Sequence, residues 1–126
     1  GTKLGLAHNK IVKWIIEVAA LTDAQIIQLS ALIKNVVIAN FKEDCYPNVF
    51  VKSSTGFYTT ENGQPNGATV PTIIMMLENG SPLPVKAAGG VRTYQEAIEM
   101  INLGVKRIGT SSAKAIANGQ EAKSDY

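Results

Sequence analysis

Short apolar runs alternate with capped helical patterns four times along this chain, and that alternation narrows the possible folds more than any single residue does. Residues 11–17 (Ile-Val-Lys-Trp-Ile-Ile-Glu), 49–52 (Val-Phe-Val-Lys), 84–86 (Pro-Val-Lys) and 105–109 (Val-Lys-Arg-Ile-Gly) read as strands, rich in β-branched side chains. Helix signals lie between them. Thr22-Asp23-Ala24-Gln25 and Thr93-Tyr94-Gln95-Glu96 match the capping box, in which a hydroxyl and a side chain three residues on satisfy orphan N–H groups at a helix start. Thr69 caps another helix that tolerates Pro71 in its first turn, and Thr110-Ser111-Ser112 opens a short last one closed by Gly119. Helical spacing puts Ile26, Leu29, Ile33 and Val36 on one buried face, and Ala97, Ile98 and Ile101 on another that stops at Gly104. Residues 41–48 and 58–67 are polar with proline or Asn-Gly turns and read as loops; the longer one lies beside the candidate site described below.

The order β-α-β-α-β-α-β-α calls for parallel strands joined by right-handed helical crossovers. The strand ends Glu17, Lys52, Lys86 and Gly109 stand 35, 34 and 23 residues apart. A closed eight-stranded (β/α)8 barrel averages about 30 residues per unit, so four units make half a barrel. A doubly wound open sheet is the alternative, although it normally carries its glycine-rich turn after the first strand rather than the last.

The totals are consistent with one globular domain over residues 1–126. With 45% hydrophobic residues the chain can bury a core, and a net charge of +2 without a basic-aromatic stripe gives no footprint for nucleic acid. No apolar run is long enough to span a membrane, and no signal peptide is visible. The single cysteine, Cys45, excludes an internal disulfide and suits a reducing, cytoplasmic setting. His8, the only histidine, removes multi-histidine metal sites and reads as a solvated residue. Residues 1–10 read as the end of a preceding helix or a leader, the initial glycine suggests processing or an incomplete record, and residues 120–126 are expected to be a mobile tail.

Lys52 leaves an apolar strand into the hydroxyl-rich turn Ser53-Ser54-Thr55-Gly56, and Lys86 leaves the next into Ala87-Ala88-Gly89-Gly90. Neighbouring strands lie about 5 Å apart, so two lysines at one level repel and at least one has a depressed pKa. A lysine neutral near pH 7 attacks carbonyl carbon, and the protonated imine then drains electrons from the adjacent carbon, which is the chemistry of an amine-dependent aldolase. The competing reading is that both amines reach solvent or pair with carboxylates. Residues 88–92 and 109–112 each set glycine and backbone N–H groups before a helix start, which suits an anion, although ordinary helix caps look the same. Barrels often hold phosphate in the loops after strands seven and eight.

Three segments carry a resemblance. Val51-Lys52-Ser53-Ser54-Thr55-Gly56-Phe57, Val85-Lys86-Ala87-Ala88-Gly89-Gly90-Val91-Arg92-Thr93 and Arg107-Ile108-Gly109-Thr110-Ser111-Ser112 resemble, in order, the C-terminal signatures of deoxyribose-phosphate aldolases. Trp14-Ile15-Ile16-Glu17 with Leu21-Thr22 is similar to that family's fifth strand. The resemblance implies an α/β TIM barrel of which this chain holds units five to eight. It also implies a class I aldolase that interconverts 2-deoxy-D-ribose 5-phosphate with acetaldehyde and D-glyceraldehyde 3-phosphate, with no cofactor and no metal. On this resemblance Lys52 forms the Schiff base, Lys86 lowers its pKa, and Gly90, Val91, Arg92, Ser111 and Ser112 hold the substrate phosphate. Tyr126 matches a terminal tyrosine that helps move a proton in some members, with a disordered tail as the alternative. The partners implied are a phosphosugar and either further copies of the chain in a homo-oligomer or an N-terminal half-barrel, which would bring the strand-end aspartate this chain lacks. Departures from the family pattern are Val18 and Ala19, in place of small polar or sulfur residues, with Ser53 and Ala87. Two other readings stay open: a non-catalytic phosphosugar-binding or assembly protein on a truncated scaffold, and a lysine aldolase for a different phosphosugar.

Overall fold

The computed structural model describes residues 1–119. The tail 120–126, with Tyr126, lies outside the described residues.

Four parallel strands form the sheet: β1 (Val12–Ile15), β2 (Val49–Lys52), β3 (Val85–Ala88) and β4 (Arg107–Gly109). They are joined through α2 (Asp23–Asn40), α3 (Val70–Gly80) and α4 (Tyr94–Leu103); α1 (Thr2–Ala7) precedes the first strand and α5 (Ala113–Ala117) follows the last. The strands lie side by side in chain order. A doubly wound sheet would reverse direction at a switch point, so this order decides for the barrel-type winding.

Strand alternation sorts the side chains. Val49, Val51, Val85 and Ala87 are each 0% exposed and pack with Ile26, Val37, Ile73, Met76 and Met100 of the helices in one core. The register pairs Trp14 with Val51 and Val51 with Val85 on that face. The opposite face carries Lys13 beside Phe50, then Ile15, Lys52, Lys86 and Arg107 in one row, then Ala88 beside Gly109. At the edge of this second face Ile15 remains 44% exposed.

The helix starts form as their sequences require. Thr22–Gln25, Thr69–Thr72 and Thr93–Glu96 all make reciprocal capping boxes, and α4 stops at Gly104 with φ 118°. Two apolar faces differ from expectation. On α2 the buried residues are Ile26, Ser30 and Val37, whereas Val36 is 50% exposed: the small Ser30 lets the helix lie close against its neighbours and turns Val37 inward. On α4 Met100 is buried and Ile101 is 53% exposed, since Ala97 and Met100 share the side that meets the core. Residues 43–48, expected as irregular loop, form 3-10 turns, with Cys45 N–H donating to the Lys42 carbonyl. Among the described residues no helix is long and apolar enough to cross a membrane.

Candidate active site

Lys52 and Lys86 are Cα partners across β2 and β3, on the face away from the helical core. Both are half-buried. The Lys86 amine is held below the ordinary lysine value of 10.5, first by burial, then by the charges of Lys52, Lys13 and Arg107. Every charge that acts on it therefore has its own sign. Arg107 follows in the same row, and its guanidinium lies 5.2 Å from the centroid of the Phe50 ring, a cation–π distance that fixes it lower on the same face.

The turn after β2 is built by hydrogen bonds that continue the sheet where its backbone leaves. Ser53 is fully buried; its Oγ donates to the Ala88 carbonyl at 2.7 Å and accepts from the Ala88 N–H at 2.9 Å. A side chain thus takes over the ladder from the main chain. Glu17, at the end of the preceding strand, adopts a left-handed backbone with φ 54° and turns its carboxylate onto this turn. Its Oε2 accepts from Thr55 Oγ1 at 2.7 Å and from Thr55 N–H at 3.2 Å. Ser54 Oγ lies 3.0 Å from Glu17 Oε1 and 2.8 Å from the Asn66 carbonyl, so its single proton serves two acceptors. The carboxylate clamps the segment directly after Lys52.

The long segment 57–69 folds back over β3. Ala68 N–H donates to the carbonyls of Ala88 and Gly89 at 3.1 and 2.8 Å. Gly67 is what allows this approach: a β-carbon there would stand 2.4 Å from the Ala88 carbonyl oxygen. Beside this segment a cavity of about 530 Å³ is lined in part by Gly90, Arg92 and Glu96.

The two late turns are joined. Gly89 and Gly90 have φ of 83° and 81°, which admits glycine with little strain, and Thr110 Oγ1 donates to the Val91 carbonyl at 2.7 Å. Gly90, Val91, Arg92, Ser111 and Ser112 therefore gather at one end of β3 and β4, with Val91 buried and Arg92 and Ser111 exposed. Ser112 is 6% exposed, and its Oγ has no hydrogen-bond partner among the described residues. The Ser30 Oγ on α2 is buried without a partner in the same way. Tyr126 lies outside the described residues.

Sequence reading missed the Glu17 clamp, the Ser53 bridge and the Phe50–Arg107 stack. A strand-end carboxylate facing three consecutive hydroxyls was the available signal for the first; the other two need the register.

No family model matches the chain. It is 43% identical over 114 residues to the deoxyribose-phosphate aldolase of Dictyoglomus turgidum, covering 90% of this chain and 45% of that protein. The enzyme of the same name from Streptococcus pneumoniae strain CGSP14 is 40% identical over 119 residues, covering 94% and 47%. Among solved structures, a putative deoxyribose-phosphate aldolase from Coccidioides immitis superposes with a TM-score of 0.66 at 30% identity, over 93% of this chain and 42% of that one. The tetrameric deoxyribose phosphate aldolase of Aeropyrum pernix gives 0.63 at 28%, over 92% and 44%. The chain is thus a homologue of deoxyribose-phosphate aldolases that spans about half the length of the relatives it matches, with the α/β fold of half a TIM barrel.

Proposed function

We propose that this chain is the C-terminal, Schiff-base half of a class I aldolase that cleaves 2-deoxy-D-ribose 5-phosphate to acetaldehyde and D-glyceraldehyde 3-phosphate. The observation that carries the reading is the register pairing of Lys52 with Lys86 on one face of the sheet. In this mechanism the Lys52 amine adds to the C1 aldehyde of the open-chain sugar and water leaves, giving a protonated imine. The C2–C3 bond then breaks, its electron pair passing to the imine nitrogen as the C3 hydroxyl loses its proton and becomes the aldehyde of the departing triose phosphate. Protonation of the enamine at C2 and hydrolysis free acetaldehyde and the amine. Lys86 is the second amine of the pair, the one the structure holds toward its neutral form, and Gly90, Val91, Arg92, Ser111 and Ser112, gathered at one end of β3 and β4, hold the phosphate.

The proton acceptor for the C3 hydroxyl comes, in this reading, from a second half-barrel. The outer side of β1 supports such a partner: Trp14, Leu32, Val36 and Phe41 line an apolar cavity of about 380 Å³ open to solvent. A homo-oligomer of closed barrels, placed in the cytoplasm, belongs to the same proposal, in line with the printed description of the Aeropyrum pernix enzyme.

The test is trapping with borohydride and acetaldehyde, with peptide mapping, on the protein mixed with units one to four of a full-length relative. A mass increment on Lys52 is expected. Label on Lys86 alone would exchange the two amines' roles, and no label in a verified assembly would end the aldolase reading.

A further inference from the structure

Gly109, like Gly67, is a glycine at the site whose backbone does not ask for glycine. Gly89 and Gly90 take left-handed φ, whereas Gly109 lies outside that region, in β4, where any residue could follow the main chain. What it lacks is room. A β-carbon on Gly109 would stand 2.9 Å from Lys86 Cε, 3.5 Å from Lys86 Nζ and 3.1 Å from Ala88 Cβ. The Lys86 side chain therefore does not rise straight from β3. It leans toward β4, so that its Cε and Nζ stand beside the place a Gly109 β-carbon would take.

We infer that Gly109 is a positioning residue: its bare backbone is the surface on which the Lys86 amine rests, and this sets where that amine stands relative to Lys52. The inference deepens the aldolase reading and rests on it for its catalytic meaning. The geometry behind it is simple. Lys86 sits between β2 and β4, with Lys52 as its Cα partner on one side and Arg107 on the other. A side chain at Gly109 closes the berth on the β4 side, so the flexible end of Lys86 swings back toward Lys52 or out of the sheet. Either movement changes the field at both amines, while the strand itself can stay in place because the colliding atoms belong to the free end of a long side chain. The Ala88 contact is the part of the cost that does not depend on Lys86.

Two measurements test this without turnover. In a double-mutant cycle followed by urea unfolding, Gly109→Ala lowers the midpoint in the native background and lowers it clearly less in a Lys86→Ala background, because the side chain that collides has been removed. Equal losses in the two backgrounds overturn the inference. So does failure of both proteins to fold, which would make Ala88 or the backbone the real obstacle; folding of the double variant alone supports it. In the second measurement, the pH profile of Lys86 acylation, read by mass spectrometry, moves in Gly109→Ala while that of the exposed Lys106 does not. A glycine needed only for packing would leave the Lys86 profile where it was. Both effects without any aldol cleavage would remove the catalytic reading and leave the placement of Lys86 standing.

Discussion

Replacing Ser53 by alanine tests whether the sheet is continued by a side chain at the point where the active-site turn begins. The Ser53 Oγ makes both of its hydrogen bonds to one residue, Ala88, at 2.7 and 2.9 Å, in a fully buried position. The two partners fare differently when the hydroxyl goes. The Ala88 carbonyl keeps the Ala68 N–H at 3.1 Å, so its loss is one net hydrogen bond, about 1 kcal/mol. The Ala88 N–H is left facing a methyl group, and a buried donor without a partner costs about 1–3 kcal/mol. The sum is about 2–4 kcal/mol, which with a urea slope of about 2 kcal/mol per molar, the middle of the usual range, lowers the midpoint by roughly 1–2 M. Hydrogen exchange gives the local readout: the Ala88 amide should lose protection more than the amides of Val49 or Val51, deeper in the sheet. A loss below about 0.5 kcal/mol, the range of an ordinary surface substitution, would refute the reasoning.

Gly67→Ala forces a β-carbon to 2.4 Å from the Ala88 carbonyl oxygen and 2.6 Å from Gly89 Cα, neither of which can rotate away, so the segment 57–69 should lift and Ala68 exchange its amide faster; unchanged protection counts against the docking described. Glu17→Ala removes acceptors for Ser54 Oγ, Thr55 N–H and Thr55 Oγ1, and should speed proteolysis after Lys52 more than Glu17→Gln, which keeps one oxygen; equal rates would deny the clamp. Lys86→Met should raise stability at neutral pH. The native amine titrates below 10.5, so between its native pKa and that value the unfolded chain holds more protons and stability rises with pH; the penalty is complete below the native pKa and gone above 10.5. The advantage of Lys86→Met in urea midpoint should accordingly shrink as pH approaches 10.5, and a constant difference would show that charge is not its source.

Much of the fold was legible because its signals are local. Thr22–Gln25, Thr69 and Thr93–Glu96 start helices through atoms within a few residues of one another, and Gly104 ends one through its own backbone. The pairing of Lys52 with Lys86 was legible for a similar reason: each closes an apolar run, and consecutive parallel units set equivalent residues at one level. What stayed hidden depends on distances between units. Nothing near Gly109 announces that Lys86 will lean toward it, and nothing near Gly67 announces the Ala88 carbonyl. Val36 and Val37 are equally apolar, so only the fit of Ser30 against the neighbouring elements chooses between them. Gly109 read from sequence as a glycine for anion approach, whereas its space in the structure is filled by an amine.

The two faces of the sheet divide the work, and their coupling explains why the cations stay together. Lys13, Lys52 and Arg107 all push Lys86 toward its neutral form, so repulsion among like charges on the inner face does not favour this register. The outer face does. Val49, Val51 and Val85 are each fully buried there, and burial of a valine contributes about 1.5–3 kcal/mol. Because strand side chains alternate, fixing Val51 beside Val85 fixes Lys52 beside Lys86 one residue on, and a slip that relieved the repulsion would turn the valines out of the core. Packing that never touches the reacting face thus holds two amines closer than their charges would choose, and the strain falls on the proton, which is the most easily given up.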